Sequence, residues 1–284
     1  MRSCRAIGLA GAIALLVLPL GCRKWVGMST NRLVPFTDVT GQHALPDGVK
    51  RLVVSNRVGQ VTVLPDGAGE VRVEAGVRLD SDRVATTAKG NFADHVLITV
   101  DGETLTVVDA HTGQPDHDDW ALELTVHAPP GLGLNVKNGV GDMRVSGSWG
   151  AVFLETGVGD ARFTGAAAGE LSAVTGVGDI HLTVESVAGT VSGKSGTGGV
   201  RLTVATAPTQ DVKLTTGVGD VSLKLPAGAP GSFALDTGVG SVHVPGLAGI
   251  AVSKSGPTAK AAGTVGTGGP NYTLSTGVGA IHIE

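Results

Sequence analysis

The chain carries the phrase ETGVGDARF at residues 155–163 and repeats it as VTGVGDIHL at residues 174–182. Six further copies, intact or worn, begin at Gly139, Gly196, Gly217, Gly238, Gly256 and Gly277. The leading glycines of the eight copies follow one another at intervals of 18, 19, 20, 21, 21, 18 and 21 residues. A period near 20 indicates one supersecondary unit that is stacked about eight times.

Apolar and polar residues alternate on both sides of each glycine turn, which is typical of short strands with one buried face. After the turn, two columns are predicted to point inward: Met143, Ala161, Ile180, Val200, Val221, Val242, Ile281, and Val145, Phe163, Leu182, Leu202, Leu223, Val244, Ile283. Before the turn, two more are predicted to do so: Val152, Leu171, Val191, Val212, Phe233, Tyr272, and Leu154, Ala173, Leu214, Leu235, Leu274. The sequence thus predicts an all-β fold, a β-solenoid with about 20 residues per rung.

Composition is consistent with a thin core. Of 284 residues, 42% are hydrophobic, 45 are glycine and only 3% are aromatic, so Val, Leu, Ile and Ala must fill the interior. The net charge of −4 provides no basic field, and nucleic acid is therefore not expected as a partner.

The N-terminus has the pattern of an export signal. Arg2 and Arg5 precede an apolar run that ends at Gly21, so residues 1–21 are predicted to be a lipoprotein-type signal peptide. Residues 18–22 resemble a lipobox with Cys22 as the lipidation site, although Pro19 and Leu20 depart from the pattern, and plain cleavage or an uncleaved anchor stays an alternative. We therefore expect an extracytoplasmic, cell-envelope protein that is bound to the membrane if Cys22 is modified, or is otherwise periplasmic or secreted.

The sequence suggests a division of the mature chain. Residues 22–46 are predicted to be a flexible tether, residues 47–130 an N-terminal β-strand region and residues 131–284 the repeat. Gly48–Val63 can be laid over Gly131–Val145, which places Asn56 on Asn138, Gly59 on Gly141 and Val61 on Met143, so the segment is interpreted as an early rung. Further strands are expected at 71–77, 96–100, 105–108 and 122–126, with a hairpin turn at Asp101-Gly102.

Taken together, the early strand, the insertion, the Ala128-Pro129-Pro130-Gly131 stop and the iterated Thr-Gly-Val-Gly-Asp units resemble a bacterial "putative adhesin" family of unknown function. The similarity covers about Val49 to Glu284. It implies a right-handed β-solenoid outside the cytoplasm and supplies no catalytic residues.

The turn itself offers the most prominent candidate site. Its predicted structural residues are Gly139, Gly141, Asp142, Gly157, Gly159, Asp160, Gly176, Gly178, Asp179, Gly217, Gly219 and Asp220. Asp immediately after the second Gly is interpreted as a turn cap, with a cation site as the alternative, because calcium β-rolls place Asp elsewhere in the repeat. Neither a metal nor a cofactor is expected. The residues before the turn, mostly Thr or Ser, are expected to satisfy one another and the turn amides from rung to rung.

A candidate binding strip follows the turn: Arg144, Arg162, His181 and Arg201. Each of the first three lies two residues after an Asp, hence on the same strand face, and this arrangement is either mutual charge compensation or a surface for a polyanionic envelope glycan. His243 and His282 share this outward column but are expected to be separated by other rungs, and His111, Asp116, His117 and Asp118 lie in one loop.

No motif of a known catalytic type is present, so the function expected is a non-enzymatic, adhesin-like interaction or scaffold protein whose partner is an envelope protein or glycan. Two alternatives stay open: a regulatory component that senses envelope stress, and a glycan-cleaving β-helix enzyme, which would need clustered carboxylates.

Overall fold

The computed structural model describes residues 33–67, 69–78, 95–110, 121–247 and 249–284. Within these ranges every regular element is a β-strand, and the 23 strands, numbered along the chain, form two sheets. The all-β prediction is confirmed, and both sheets consist mainly of parallel strands. No described segment is a helix of the length and hydropathy needed to cross a membrane.

The two sheets contain eleven and twelve strands. From edge to edge, the eleven-stranded sheet consists of β1 (Leu33–Ala44), β4 (Glu70–Arg78), β7 (Ala121–Ala128), β3 (Val61–Pro65), β9 (Met143–Trp149), β11 (Ala161–Ala167), β13 (Ile180–Val187), β15 (Val200–Val204), β17 (Val221–Lys224), β23 (Ile281–Ile283) and β19 (Val242–His243). The twelve-stranded sheet consists of β20 (Ile250–Ser255), β21 (Thr258–Val265), β18 (Gly231–Val239), β22 (Asn271–Val278), β16 (Val212–Val218), β14 (Val191–Thr197), β12 (Leu171–Val177), β10 (Val152–Val158), β8 (Gly133–Val140), β2 (Arg51–Val58), β6 (Thr104–Asp109) and β5 (Val96–Asp101).

Each repeat unit contributes one strand to each sheet. The chain runs along a strand of the twelve-stranded sheet, passes the Gly-x-Gly turn and continues as a strand of the eleven-stranded sheet. Successive units pair in parallel and in register beside the turns, as in the pairs Thr156 with Thr175 and Ala161 with Ile180, and the pairing of β11 with β13 shifts only after Gly165. Equivalent residues of neighbouring units therefore lie about 4.8 Å apart in rows that cross the sheets.

The predicted inward columns are confirmed as the core, because every member except Val244, which is half-buried, is buried. Burial of each Val, Leu or Ile side chain stabilises the fold by roughly 1.5–3 kcal/mol. Leu182 is 1% exposed while its neighbour His181 lies partly in solvent, so adjacent residues face opposite sides of the sheet.

The early unit is also confirmed by strand pairing. Asn56 pairs with Asn138 and Val61 with Met143, so β2 and β3 lie beside β8 and β9 in the register that the sequence predicts. The region before residue 131 thus shares both sheets with the repeat.

Antiparallel strands complete the N-terminal end of the stack. The predicted hairpin at Asp101-Gly102 is present, because β5 and β6 pair antiparallel around it and Gly102 has a φ of 55°. On the other sheet, β4 pairs antiparallel with β7 and with β1. Strand β1 falls inside the segment 22–46 that was predicted to be a tether, so residues 33–44 are a paired strand instead.

The C-terminal quarter departs from the predicted order. Strands β22 and β23 lie between the unit of β16 and β17 and the unit of β18 and β19, although they follow both in the chain. The worn copy at Gly256 is not a unit, because residues 250–265 form an antiparallel hairpin that pairs with β18. The expectation of eight units in sequence order is therefore wrong at its end.

Candidate functional site

The glycines of the turns are required by close packing between units. A Cβ on Gly159, whose φ is 137°, would lie 2.2 Å from the carbonyl oxygen of Gly141. A Cβ on Gly176 would lie 2.5 Å from the carbonyl oxygen of Gly157, although Gly176 itself has no positive φ. The second glycine of the turn thus needs both positive φ and space, and the first needs space alone.

A row of buried polar side chains joins consecutive turns. Thr175 Oγ1 donates a hydrogen bond to the carbonyl oxygen of Gly159 at 3.1 Å, and Thr216 Oγ1 donates to that of Gly198 at 2.7 Å. Asn138, which occupies this position in the first copy, donates from Nδ2 to Gly59 and Gly141. The expected row is thus present, except that Ser255 in the worn copy is exposed, but its hydroxyls donate to carbonyl oxygens of the neighbouring turn rather than to one another.

The aspartate row, defined as Asp142, Asp160, Asp179 and Asp220, lies on the solvent side of the turns. Asp142 Oδ1 accepts a hydrogen bond from the backbone N–H of Asp160 at 3.1 Å, and Asp160 Oδ1 accepts one from Asp179 at 2.9 Å. Asp179 and Asp220 accept from Gly199 and Ala280 at 2.7 Å each. Each carboxylate therefore holds the N–H of the neighbouring unit, which no carbonyl group in the turn satisfies.

The surroundings of Asp160 favour its ionised form. The hydrogen bond from the Asp179 N–H lowers the pKa of Asp160 from its ordinary value, burial opposes the shift, and the guanidinium group of Arg162 adds to the lowering. A carboxyl group with a lowered pKa is a poor proton donor at neutral pH.

The basic strip, defined as Arg144, Arg162, His181 and Arg201, forms one row across four adjacent strands of the eleven-stranded sheet. Nη2 of Arg144 lies 3.0 Å from Oδ2 of Asp142, and Nη2 of Arg162 lies 2.7 Å from Oδ2 of Asp160. Nε2 of His181 lies 3.9 Å from Oδ2 of Asp179. Three of its members thus face the aspartate row on their own strands.

Arg201 differs from the other members of the strip. Gly199 stands where the units of Arg144, Arg162 and His181 have Asp, so Arg201 has no acid two residues before it. Its side chain is exposed and makes no hydrogen bond or ion pair within the part of the chain that the structure describes. Arg201 is therefore the member whose charge is open to a ligand.

Two histidines lie closer together than the sequence indicates. His243 and His282 are paired on adjacent strands, and their rings stack with centroids 4.9 Å apart. The prediction that other units separate them is wrong, because β23 inserts next to β19. Among the described residues, no group of three or more His, Cys, Asp or Glu side chains is placed to bind a metal ion. Residues 111–118, with the other His and Asp cluster, and Cys22 lie outside the described residues.

A further surface row is formed by the middle residue of the Gly-x-Gly turn, and the sequence reasoning missed it. We call it the valine ridge: Val140, Val158, Val177, Val218, Val239 and Val278. These side chains are 47–51% exposed, and they stack in register with Thr197 completing the row. The sequence does contain a signal for this row, because Val recurs at the middle position of the turn in six copies.

Comparisons with known proteins give structural matches only. No protein-family model and no curated protein matches the chain. A "putative adhesin" from Bacteroides fragilis aligns with a TM-score of 0.38 at 12% identity, over 89% of this chain and 97% of its own. A "putative cell adhesion protein" from Clostridium sporogenes aligns at 0.33 and 14%, over 86% and 97%. A "putative lipid binding protein" from Parabacteroides distasonis aligns at 0.34 and 11%, over 88% and 99%. Likenesses of this strength carry no argument about function.

Proposed function

We propose that this chain is a non-enzymatic, adhesin-like interaction or scaffold protein that acts outside the cytoplasm. Its two sheets would be the faces of a β-solenoid of about 20 residues per rung, and its partner would be an envelope glycan or protein. The signal at residues 1–21 and a lipid on Cys22 belong to this proposal on sequence grounds.

One observation carries the binding role. The basic strip places four side chains in one row on adjacent parallel strands, at a repeat of about 4.8 Å. A row of that regularity suits an extended polymer, because a single rigid face can engage several units of the polymer together. Since Arg144 and Arg162 are paired with acids, Arg201 is expected to contribute most to attraction of a polyanion.

The engagement of the aspartate row argues against glycan cleavage. Glycoside hydrolysis by paired carboxyl groups requires one of them to be protonated and free to donate. Here each of the four carboxylates accepts a backbone N–H, and the pKa of Asp160 is lowered. These groups stabilise the turns, which is a structural role.

Chromatography on dextran sulfate and on neutral dextran tests the role of the strip. We expect the wild-type chain to be retained by the sulfated matrix alone, and Arg201→Gln to elute at lower salt, because one unpaired cation is lost. Lys194→Gln is the matched control, since Lys194 is also exposed and without a partner in the described chain but lies on the other sheet. Equal retention on both matrices, or an equal effect of the two substitutions, would contradict the proposal.

A further inference from the structure

A hollow opens on the outer face of the twelve-stranded sheet, away from the basic strip. It has a volume of about 510 Å³ and lies over β2, β6, β8 and β10. Its size is within the range of small-molecule sites, roughly 300–1,000 Å³.

The hollow exists because two neighbouring outward positions carry little or no side chain. Gly133 pairs with Arg51 on one side, and on its other side it lies next to Ala151, the residue before β10. A Cβ on Gly133 would make only ordinary contacts, 3.7 Å from the Lys50 carbonyl oxygen and 3.8 Å from that of Ala151. Unlike the turn glycines, Gly133 is not required by the backbone, and its lack of a side chain leaves the floor of the hollow open.

One exposed aromatic side chain lies beside this floor. Of the five Phe, Trp and Tyr side chains whose surroundings the structure describes, only Phe153 is exposed, at 40%. Phe153 pairs with Asn135, so a ring and an amide face the hollow from adjacent strands. An exposed ring next to hydrogen-bonding groups offers one apolar and one polar surface to the same ligand.

The charged groups of the hollow sum to one positive charge. Lys50 and Glu103 form an ion pair with each other at the rim. Arg51 is exposed and makes no ion pair or hydrogen bond from its side chain within the described residues. The hollow therefore favours a ligand with one negative group, and a guanidinium group can bind a carboxylate through two hydrogen bonds.

We propose that this hollow binds a carboxylate-bearing sugar residue of an acidic glycan. Phe153 would contact the apolar C–H face of the ring, Asn135 and Thr104 would bind its hydroxyl groups, and Arg51 would bind its carboxylate. The inference deepens the proposed interaction role and rests on it only for the class of partner, since the site and the basic strip lie on different sheets.

Calorimetric titration of the purified chain with tetragalacturonate tests the site, with the fully methyl-esterified tetrasaccharide as the uncharged control. We expect the acid to bind at least about tenfold more tightly than the ester. Gly133→Val should weaken binding of the acid by at least about tenfold because it fills the floor, while the melting temperature stays within about 3 °C, the shift expected from a change of under 1 kcal/mol. Phe153→Ala should weaken binding of acid and ester alike, and Arg51→Gln should weaken only the acid.

The variants separate this site from the basic strip. Arg201→Gln should leave the affinity for tetragalacturonate unchanged. No binding of tetragalacturonate, or binding that Gly133→Val and Phe153→Ala leave intact, overturns the hollow as a sugar site. Retention on dextran sulfate that depends on Arg201 would then still stand, so failure of the hollow is distinguishable from failure of the proposed function.

Discussion

The middle of the repeat and the C-terminal quarter use the same strand-turn-strand unit, but only the middle stacks its units in sequence order. From β8 to β17 each unit pairs with the one that follows it in the chain. In the C-terminal quarter, the last unit inserts between its two predecessors, and the hairpin of β20 and β21 covers β18.

Chemical similarity between the units explains why this exchange is tolerated. Thr276 donates to the Gly219 carbonyl oxygen at 2.8 Å, and Thr237 donates to that of Gly279 at 2.8 Å, in the same way as the threonines of the middle units. Asp220 accepts the N–H of Ala280, where sequence order would have offered Ser241. The turns thus specify the register within a pair of units, while the connecting chain specifies which units are paired.

The largest difference in stability is expected between substitutions of two adjacent residues in the middle of the repeat. Leu182→Asp places an unpaired carboxylate in the thin core and should lower the free energy of unfolding by roughly 3–5 kcal/mol. His181→Asp should cost less than about 1 kcal/mol, since the new carboxylate faces solvent between Arg162 and Arg201. Urea denaturation of both variants measures the difference, and equal destabilisation would contradict the register of β13.

A smaller difference in stability is expected between substitutions of a glycine in the middle of the repeat and one in the C-terminal quarter. Gly159→Ala should destabilise by about 3 kcal/mol, because its Cβ would overlap the Gly141 carbonyl oxygen and its φ is 137°. Gly256→Ala should cost only about 1 kcal/mol, since its φ is 60° but no atom lies within 4 Å of the new Cβ. Thermal unfolding compares the two, and a greater loss for Gly256→Ala would mean that this hairpin turn is packed as tightly as the repeat.

The sequence predicts the strand order far better in the middle of the repeat than in the C-terminal quarter, for a physical reason. Columns such as Ile180 and Leu182 are visible as a period of two within a period of twenty, and local alternation alone makes them face the core. The position of β22 has no such signal, because Tyr272 and Leu274 match the columns of any neighbouring unit equally well.

The candidate sites show the same division. The aspartate row and the basic strip can be located in the sequence because they recur with the repeat. The hollow at Gly133 cannot, because it arises from missing side chains on β8 and beside β10, combined with one exposed ring. Features of that kind depend on which strands are neighbours and which side chains are small at one place.

The order of the C-terminal units can be tested by cross-linking across the outer face. Thr215 and Ser275 are paired, with their hydroxyl oxygens 3.2 Å apart, whereas Asp236 lies one strand further on, about 9.6 Å from Thr215. Cysteines at 215 and 275 should therefore form a disulfide, and cysteines at 215 and 236 should not, because bridged Cα atoms lie within about 7 Å.

The disulfide between residues 215 and 275 would close a long loop and should raise the free energy of unfolding by roughly 2–4 kcal/mol under oxidising conditions. With Cys4 and Cys22 replaced by Ser in both variants, a gel-shift assay of free thiols and the melting temperature before and after reduction give the result. Efficient bridging of 215 to 236, with none between 215 and 275, would restore sequence order and remove the difference between the two regions.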